Sequence, residues 1–177
     1  MATHDRCDAF VVFGITGDLA KVMTFRSLYR LEARKLIDCP IIGVAVDDWT
    51  HDQLADRARS SITAAGETID EAVFTRLMQR MSYVAGDFTD AATYERVGSA
   101  MKSAANPVFY LEIPPSLFAT VVKGLAGADL TKAARLVIEK PFGHDLQSAR
   151  ALAAELHQYV DESQLYRIDH YLGKMGL

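Results

Sequence analysis

The stretch that decides the fold of this 177-residue chain is FVVFGITGDLA, residues 10–20. Its first four residues form an apolar run of strand length, and Gly14 follows them directly. From Asp18 to Arg34, apolar residues recur at intervals of three and four, as they do along one face of a helix. A strand that turns through glycines straight into a helix is typical of the first unit of a parallel α/β sheet.

The same alternation of short apolar runs and helical segments continues along the chain. Further strands are predicted over residues 41–46, 82–85, 108–113 and 136–138. Further helices are predicted over residues 50–65, 68–80, 91–104, 115–125 and 146–159. The sequences that begin at Thr50 and Thr68 have the spacing of a capping box, in which a hydroxyl and an acid or amide satisfy free backbone donors. The predicted fold is α/β, a Rossmann-like doubly wound parallel sheet with helices on both faces, in a single dinucleotide-binding domain over residues 1–177.

The composition is that of a globular protein, with 50% hydrophobic and 24% charged residues and a net charge of -4. This apolar content argues against disorder. With 19 basic and 23 acidic residues, the chain lacks the positive charge of a non-specific nucleic-acid binder. No apolar run approaches the roughly 18 residues of a membrane span, and the polar residues 1–8, which we expect to be flexible, do not resemble an export signal. We therefore expect a cytoplasmic protein with no nucleic-acid or membrane partner.

The two cysteines, Cys7 and Cys39, lie far apart in the sequence. They are too few and too distant for a disulfide framework or a zinc site. In a protein that is not exported, two such thiols are usually reduced. We therefore expect free thiols and no metal site.

The turn after the first strand, residues 14–20, is the first candidate site. Backbone N–H groups and the positive end of a helix converge there, an arrangement that suits a phosphate group. The pattern is G-x-x-G-x-x-A rather than G-x-G-x-x-G, so a purely structural turn is the alternative. Its position in the first β-α unit of the predicted sheet favours a pyrophosphate site.

Two further clusters follow predicted strands. Asp47 stands where an acid can accept a hydrogen bond from a ribose 2′-hydroxyl, although it can also simply precede a helix. Lys140 follows the strand at 136–138 and is expected to face a ligand, with a solvated loop lysine as the alternative. If residues 167–174 are helical, His170 and Lys174 share one face and can bind one phosphate together; a solvated helix end is the alternative.

Four motifs, taken together, resemble the glucose-6-phosphate dehydrogenase family. They are GITGDLAK (14–21), FYL (109–111) followed by Pro114 and Pro115, EKPFG (139–143) and RIDHYLGK (167–174). They occur in the family's order and cover the chain from about residue 9 to its end. The resemblance implies oxidation of glucose 6-phosphate at C1 to the 6-phosphoglucono-lactone, with hydride transfer to NADP, in the pentose phosphate pathway.

The resemblance also assigns roles to individual residues, and it implies a cis Lys140–Pro141 peptide bond and no metal. The coenzyme residues that it implies are Gly14, Ile15, Thr16, Gly17, Asp18, Leu19, Ala20, Val46, Asp47, Tyr110, Pro114 and Lys140. The substrate residues that it implies are Lys140, His170, Tyr171 and Lys174. Lys140 and Asp169 are the implied catalytic residues, with Asp169 orienting a catalytic histidine.

That histidine belongs, in this family, to a C-terminal substrate and dimer domain that would follow Leu177. We therefore expect residues 161–177 to be the start of the substrate segment, and the isolated chain to bind coenzyme without turnover. Surface left bare near Tyr166 and Tyr171 is expected to cause self-association. A non-catalytic nucleotide-binding or interaction module is the alternative.

Three positions depart from the family pattern. Val46 replaces a usual arginine, which makes NAD a possible coenzyme beside NADP. Val22 and Met23 replace basic residues, and Met175 replaces a common glutamate. These changes leave the coenzyme preference and one substrate contact open.

Overall fold

A computed structural model of the chain describes residues 6–142 and 145–168. Six parallel strands form one sheet in the order β3-β2-β1-β4-β5-β6. The strands are β1 (Ala9–Phe13), β2 (Ile41–Ala45), β3 (Met81–Ala85), β4 (Pro107–Leu111), β5 (Arg135–Glu139) and β6 (Leu165–Ile168). The strand order reverses direction between β1 and β4, as expected of a doubly wound sheet. The predicted fold class is confirmed.

In the part of the chain that the structure describes, six α-helices connect the strands. They are α1 (Phe25–Ala33), α2 (His51–Ala64), α3 (Glu71–Arg80), α4 (Ala91–Ala100), α5 (Phe118–Gly127) and α6 (Leu146–Leu156). A π-helical turn, Ala20–Thr24, leads into α1, and 3₁₀ turns at Pro115–Leu117 and Glu162–Gln164 precede α5 and β6. The predicted ends of α4 at residue 104 and of α6 at residue 159 lie three or four residues too late.

The core lies on both faces of the sheet. Val11 and Phe13 of β1 pack in one cluster with buried residues of α4, α5 and α6, whereas Val12 packs with those of α1, α2 and α3. Successive side chains of a strand point to opposite faces of the sheet, so a strand without polar residues is apolar on both faces. The unbroken apolar sequence of β1 therefore reflects its central position.

The capping-box prediction is correct for α2 and wrong for α3. The Thr50 side chain accepts from the Gln53 N–H, and the Gln53 side chain accepts from the Thr50 N–H. For α3, the N-cap is Asp70, whose carboxylate accepts from the N–H groups of Ala72 and Val73. Thr68 is outside the helix, so α3 begins at Glu71 instead of residue 68.

Strand β6 is absent from the sequence prediction. It is an edge strand of four residues in which only Leu165 is buried, so it has no apolar run. Gln164 directly precedes β6, and its side-chain amide donates to the carbonyl oxygens of Thr131 and Ala134. These hydrogen bonds hold the start of β6 beside β5.

The described amino-terminal residues are also tied to the sheet. The Asp8 carboxylate accepts from the N–H groups of Ala105 and Asn106 at 2.7 and 2.9 Å. These contacts hold the chain before β1 against the loop before β4. Within residues 6–142 and 145–168, none of the helices has the length and hydrophobicity needed to cross a bilayer.

Candidate dinucleotide-binding site

The candidate site lies at the carboxyl edge of the sheet, at the point where the strand order reverses. All six strands are parallel, so the residues that follow them leave the sheet at the same edge. The turn after β1 therefore lies between the loops after β2 and β4. A crevice at such a reversal is where open α/β sheets bind their ligands.

Gly14 has a conformation and surroundings that exclude a side chain. Its φ is +87°, in the region that L-residues rarely adopt. A Cβ at this position would lie 2.2 Å from the Glu112 carbonyl oxygen. The Gly14 N–H donates to the Val44 carbonyl oxygen at 2.8 Å, which anchors the turn to β2. The turn therefore lies directly against the ends of β2 and β4, and only glycine fits there.

The backbone then closes into the start of a helix. The Gly17 N–H donates to the Gly14 carbonyl oxygen at 2.9 Å, and Asp18 and Leu19 are already helical. The first N–H groups of a helix have no partner within it, and they carry the positive end of the helix dipole. Gly17 and Asp18 are exposed, so this end of the helix is accessible. The turn therefore presents backbone donors and the positive end of a helix dipole, which suit a phosphate group.

The side chains of the turn differ in their direction. Ile15 and Ala20 are fully buried, so their side chains belong to the core and only their backbones can reach a ligand. Gly43 of β2 gives Ile15 its space, because a Cβ there would lie 2.7 Å from the Ile15 Cγ2 atom. The sequence prediction did not include Gly43; a glycine inside an otherwise apolar strand is the signal that indicates such a close approach.

The loop after β2 meets the turn through Asp47. The Thr16 hydroxyl donates to the Asp47 Oδ2 atom at 2.6 Å, and the Tyr83 hydroxyl donates to the Asp47 carbonyl oxygen. Burial, together with the charges of Asp47 and Asp48, raises the pKa of Tyr83 to about 12, so this phenol remains a donor at neutral pH. The exposed Val46 side chain stands beside this network and adds no charge to it.

Arg57 of α2 is a residue of this corner that the sequence prediction did not include. Its guanidinium lies 4.9 Å from the centre of the Trp49 ring, and its Nη1 atom donates to the Thr16 carbonyl oxygen at 3.4 Å. Stacking on an aromatic ring is a favourable arrangement for a guanidinium. A positive charge is therefore held at the turn even though position 46 carries none.

A cluster of polar side chains lies next to the turn, where β4 and β5 end; Thr24, Glu112 and Glu139 are buried and Tyr110 is half-buried. The Tyr110 hydroxyl donates to Glu139 Oε1, and the Thr24 hydroxyl of the π-helical turn donates to Glu112 Oε1. Burial, the hydrogen bond to Glu139 and the negative charges of Glu139 and Glu112 all raise the pKa of Tyr110. The sequence prediction did not include Glu112 and Thr24, and it included Glu139 only as part of the EKPFG motif, since no local pattern marks a hydrogen bond across the sheet.

Lys140 follows β5 at the same edge and is exposed. Its peptide bond to Pro141 is cis, as the resemblance implies. Pro114 is also exposed, directly after the end of β4. Glu139 pairs with Ile168, the last residue of β6, so β6 ends next to Lys140. Arg167 and Ile168 are strand residues rather than helical ones.

The other predicted substrate and catalytic residues lie outside the described part of the chain. They are Asp169, His170, Tyr171 and Lys174. The geometry of the site therefore includes the coenzyme residues and Lys140.

Comparison with known proteins agrees with this architecture. Residues 11–176 match the family described as "Glucose-6-phosphate dehydrogenase, NAD binding domain". The chain is 53% identical over 167 residues to "Glucose-6-phosphate 1-dehydrogenase 1" of Mycobacterium tuberculosis, and the alignment covers 94% of this chain and 36% of that protein. It is 36% identical over 178 residues to the glucose-6-phosphate 1-dehydrogenase of Dickeya dadantii, covering 98% and 36% of the two chains.

Solved structures of glucose-6-phosphate dehydrogenases are also similar to this chain. The glucose-6-phosphate 1-dehydrogenase from Mycobacterium avium has a TM-score of 0.92 at 57% identity, covering 94% of this chain and 36% of that one. A glucose-6-phosphate dehydrogenase in complex with its substrate has a TM-score of 0.87 at 32% identity, covering 98% and 39%. The chain thus spans just over a third of the length of these relatives. It belongs to the family of glucose-6-phosphate dehydrogenase NAD-binding domains.

Proposed function

We propose that this chain is the coenzyme-binding domain of a glucose-6-phosphate dehydrogenase, and that it binds NADP at the turn after β1. The observation that carries the proposal is Gly14. Its φ is positive, and a Cβ there would lie 2.2 Å from the Glu112 carbonyl oxygen, so the backbone of the turn packs directly against the ends of β2 and β4. A ligand diphosphate at Gly14–Ala20 would meet backbone N–H groups and a helix N-terminus.

The adenosine ribose lies, in this proposal, beside Asp47. An acid at the end of the second strand usually accepts from the ribose 2′-hydroxyl of NAD, whereas a nearby arginine accommodates the 2′-phosphate of NADP. Here the Asp47 carboxylate already accepts from Thr16, and Arg57 supplies the positive charge that Val46 lacks. We therefore propose NADP as the preferred coenzyme and NAD as a weaker one.

The nicotinamide end lies toward β4 and β5 in this proposal, near Tyr110, Pro114 and Lys140. The bound coenzyme supplies the acceptor for the hydride that leaves C1 of the sugar. Lys140 is exposed at this edge, and its ammonium can donate to the sugar and to the nicotinamide ribose together. A substrate phosphate would be bound by His170, Tyr171 and Lys174, which follow β6 in the sequence.

Removal of the C1 hydroxyl proton needs a base. The resemblance assigns that role to a histidine outside these 177 residues, with Asp169 as the acid that orients it. An imidazole beside a carboxylate is a suitable base at neutral pH. We therefore propose that the 177-residue chain binds coenzyme but does not turn over glucose 6-phosphate.

Calorimetric titration tests the proposal. The 177-residue chain is titrated separately with NADP, NAD and glucose 6-phosphate. NADP should bind measurably and more tightly than NAD, and the sugar phosphate should bind poorly. Absence of binding for both dinucleotides would exclude the proposal, and steady-state reduction of NADP at rates typical of an enzyme would exclude the claim that the chain lacks turnover.

We also propose that the chain self-associates through β6. This strand is at the edge of the sheet, and Tyr166 and Ile168 on it are large apolar residues with more than a third of their surface exposed. An open strand edge can pair with another chain. Sedimentation velocity at micromolar concentration should detect dimers or larger species, and Tyr166→Lys should reduce them; a wild-type monomer at all concentrations would contradict this.

A further inference from the structure

The two cysteines lie next to each other at the end of the sheet opposite the coenzyme site. Cys7 and Cys39 each stand two residues before a strand, β1 and β2 respectively, and these strands are parallel neighbours. Their Sγ atoms are 3.9 Å apart, and both thiols are free. The distance along the sequence suggested no pairing, but the parallel register brings the two thiols together.

The pair lines a small open cavity. Cys39 is buried and Cys7 is half-buried. The cavity has a volume of about 230 Å³, and its other lining residues include Phe10, Leu28 and Ile37. A water molecule occupies roughly 30 Å³ in the liquid, so the cavity admits a molecule as small as hydrogen peroxide. Of the two residues, Cys7 is the more exposed.

The surroundings make the two thiols unequal. The hydrogen bond shared with Cys39, then hydrogen bonding at Ala9 and the charge of Arg135, lowers the pKa of Cys7 to about 7, although burial acts in the opposite direction. The shared hydrogen bond and burial raise the pKa of Cys39. Arg6 and Asp38, which form an ion pair at 3.1 Å, also line the cavity. Of the two thiols, Cys7 therefore ionises more readily and Cys39 less readily.

We propose that Cys7 and Cys39 form a dithiol site that hydroperoxides oxidise to an intramolecular disulfide. The Cys7 thiolate attacks one oxygen of hydrogen peroxide, which breaks the O–O bond, forms a sulfenic acid and releases hydroxide that is protonated to water. The Cys39 sulfur then attacks the Cys7 sulfur and displaces the second oxygen as water, which takes the Cys39 proton. The two thiols lose two electrons in total, and the peroxide is reduced to two waters.

The geometry allows the second step with little movement. A disulfide needs an S–S distance of about 2.05 Å, so the sulfurs must approach by about 2 Å. Cys7 and Cys39 lie before β1 and β2, outside any helix or strand, so movement of their side chains breaks no strand pairing. The closed loop would contain β1, the coenzyme turn and α1. The disulfide should therefore stabilise the first β-α unit, while the coenzyme site, at the other end of β1, keeps its geometry.

Peroxide titration of the 177-residue chain tests this proposal. After stoichiometric hydrogen peroxide at pH 7, the intact mass should fall by the two hydrogen atoms of a disulfide, about 2 Da, and a non-reducing peptide map should join Cys7 to Cys39. The midpoint of thermal unfolding should rise by about 5–10 °C and return with dithiothreitol. The mass and the peptide map do not require coenzyme binding, so they test this proposal independently of the proposed function. The affinity for NADP should change by less than about twofold on oxidation.

Two matched variants test the order of the steps. In Cys39→Ser, Cys7 should stop at the sulfenic acid, which dimedone captures. In Cys7→Ser, Cys39 should stay unmodified under the same conditions. Three results in the wild type would overturn the proposal: disulfides between chains, oxidation of Cys7 to the sulfinic acid without a crosslink, or unreactive thiols. The intact mass of the oxidised wild type distinguishes all three from the expected disulfide.

Discussion

The Thr16 hydroxyl donates to the Asp47 carboxylate at 2.6 Å and so joins the turn after β1 to the loop after β2. The first of these segments is the proposed site of the coenzyme diphosphate, and the second is the proposed site of the adenosine ribose. Arg57 reaches the same corner through the Thr16 carbonyl oxygen. The parts of the site proposed to bind phosphate and ribose are therefore coupled by direct hydrogen bonds.

Arg57 should determine the preference for NADP. Replacement of Arg57 with glutamine removes the positive charge and should weaken NADP binding about 10-fold, since a hydrogen bond to a charged group contributes about 1.5–3 kcal/mol. NAD has no 2′-phosphate, so its affinity should change by less than about twofold. Calorimetric titration of both coenzymes measures the difference.

Two further variants serve as controls for this prediction. Arg57→Lys keeps the charge and should recover part of the NADP affinity, although a lysine cannot stack on Trp49 in the same way. Val46→Arg adds a second charge at the exposed position 46 and should strengthen NADP binding. An equal loss of NADP and NAD affinity in Arg57→Gln would show that Arg57 acts only on the structure of the turn.

Gly14 should be intolerant of any side chain. Gly14→Ala combines a positive φ with a contact at 2.2 Å and should lower the free energy of unfolding by about 3 kcal/mol or more. Gly66 is a matched control: its φ is +82°, and a Cβ there would have nothing within 4 Å. Gly66→Ala should therefore cost only about 1 kcal/mol. Urea unfolding measures both, and equal losses would contradict the close packing of Gly14.

The amino end of α3 should depend on Asp70 and not on Thr68. Asp70→Ala removes the acceptor for two N–H groups and should cost about 1 kcal/mol of stability. Thr68→Ala removes a side chain outside the helix and should change stability by less than about 0.5 kcal/mol. Thermal or urea unfolding separates the two cases. A larger loss of stability in Thr68→Ala than in Asp70→Ala would show that Thr68 caps α3.

Glu162 should titrate far below an ordinary glutamate. The hydrogen bonds from Arg167 and then from His157 lower the pKa of Glu162 to about 2, against a usual 4.5. A carboxylate whose pKa is lowered by folding stabilises the protein above pH 4.5, and this contribution is lost as the pH falls toward 2. The groups are exposed, so the effect on global stability is small.

Carbon-detected NMR measures the Glu162 titration directly. Arg167→Gln should raise the midpoint by at least one pH unit, because it removes the larger of the two causes. His157→Gln is the matched control and should raise it less. An unchanged midpoint in Arg167→Gln would show that the ion pair beside β6 does not form in solution.

The parts of the fold that the sequence predicted depend on local patterns. The β1 turn is predictable because the apolar run, the glycines and the start of the helix are adjacent in the chain. Strand β6 is not, since three of its four residues are exposed and its position is set by pairing with β5 and by Gln164. An edge strand of this kind has no hydrophobic period to detect.

The candidate site likewise combines residues that local sequence patterns predict with residues that only the tertiary structure brings there. Gly14, Asp47 and Lys140 could be found because they follow predicted strands, and parallel strands bring their carboxyl ends together. Arg57 could not be found, because it belongs to the middle of a helix and only the packing of α2 brings it to Thr16. The approach of Cys7 to Cys39 likewise depends on the register of two strands.

A crystal structure of the 177-residue chain with NADP tests the central claim most directly. We predict that the diphosphate lies against the backbone of the turn at residues 15–20, with the adenosine ribose at Asp47. A nucleotide bound in another cleft, with this turn free of phosphate, would contradict the assignment.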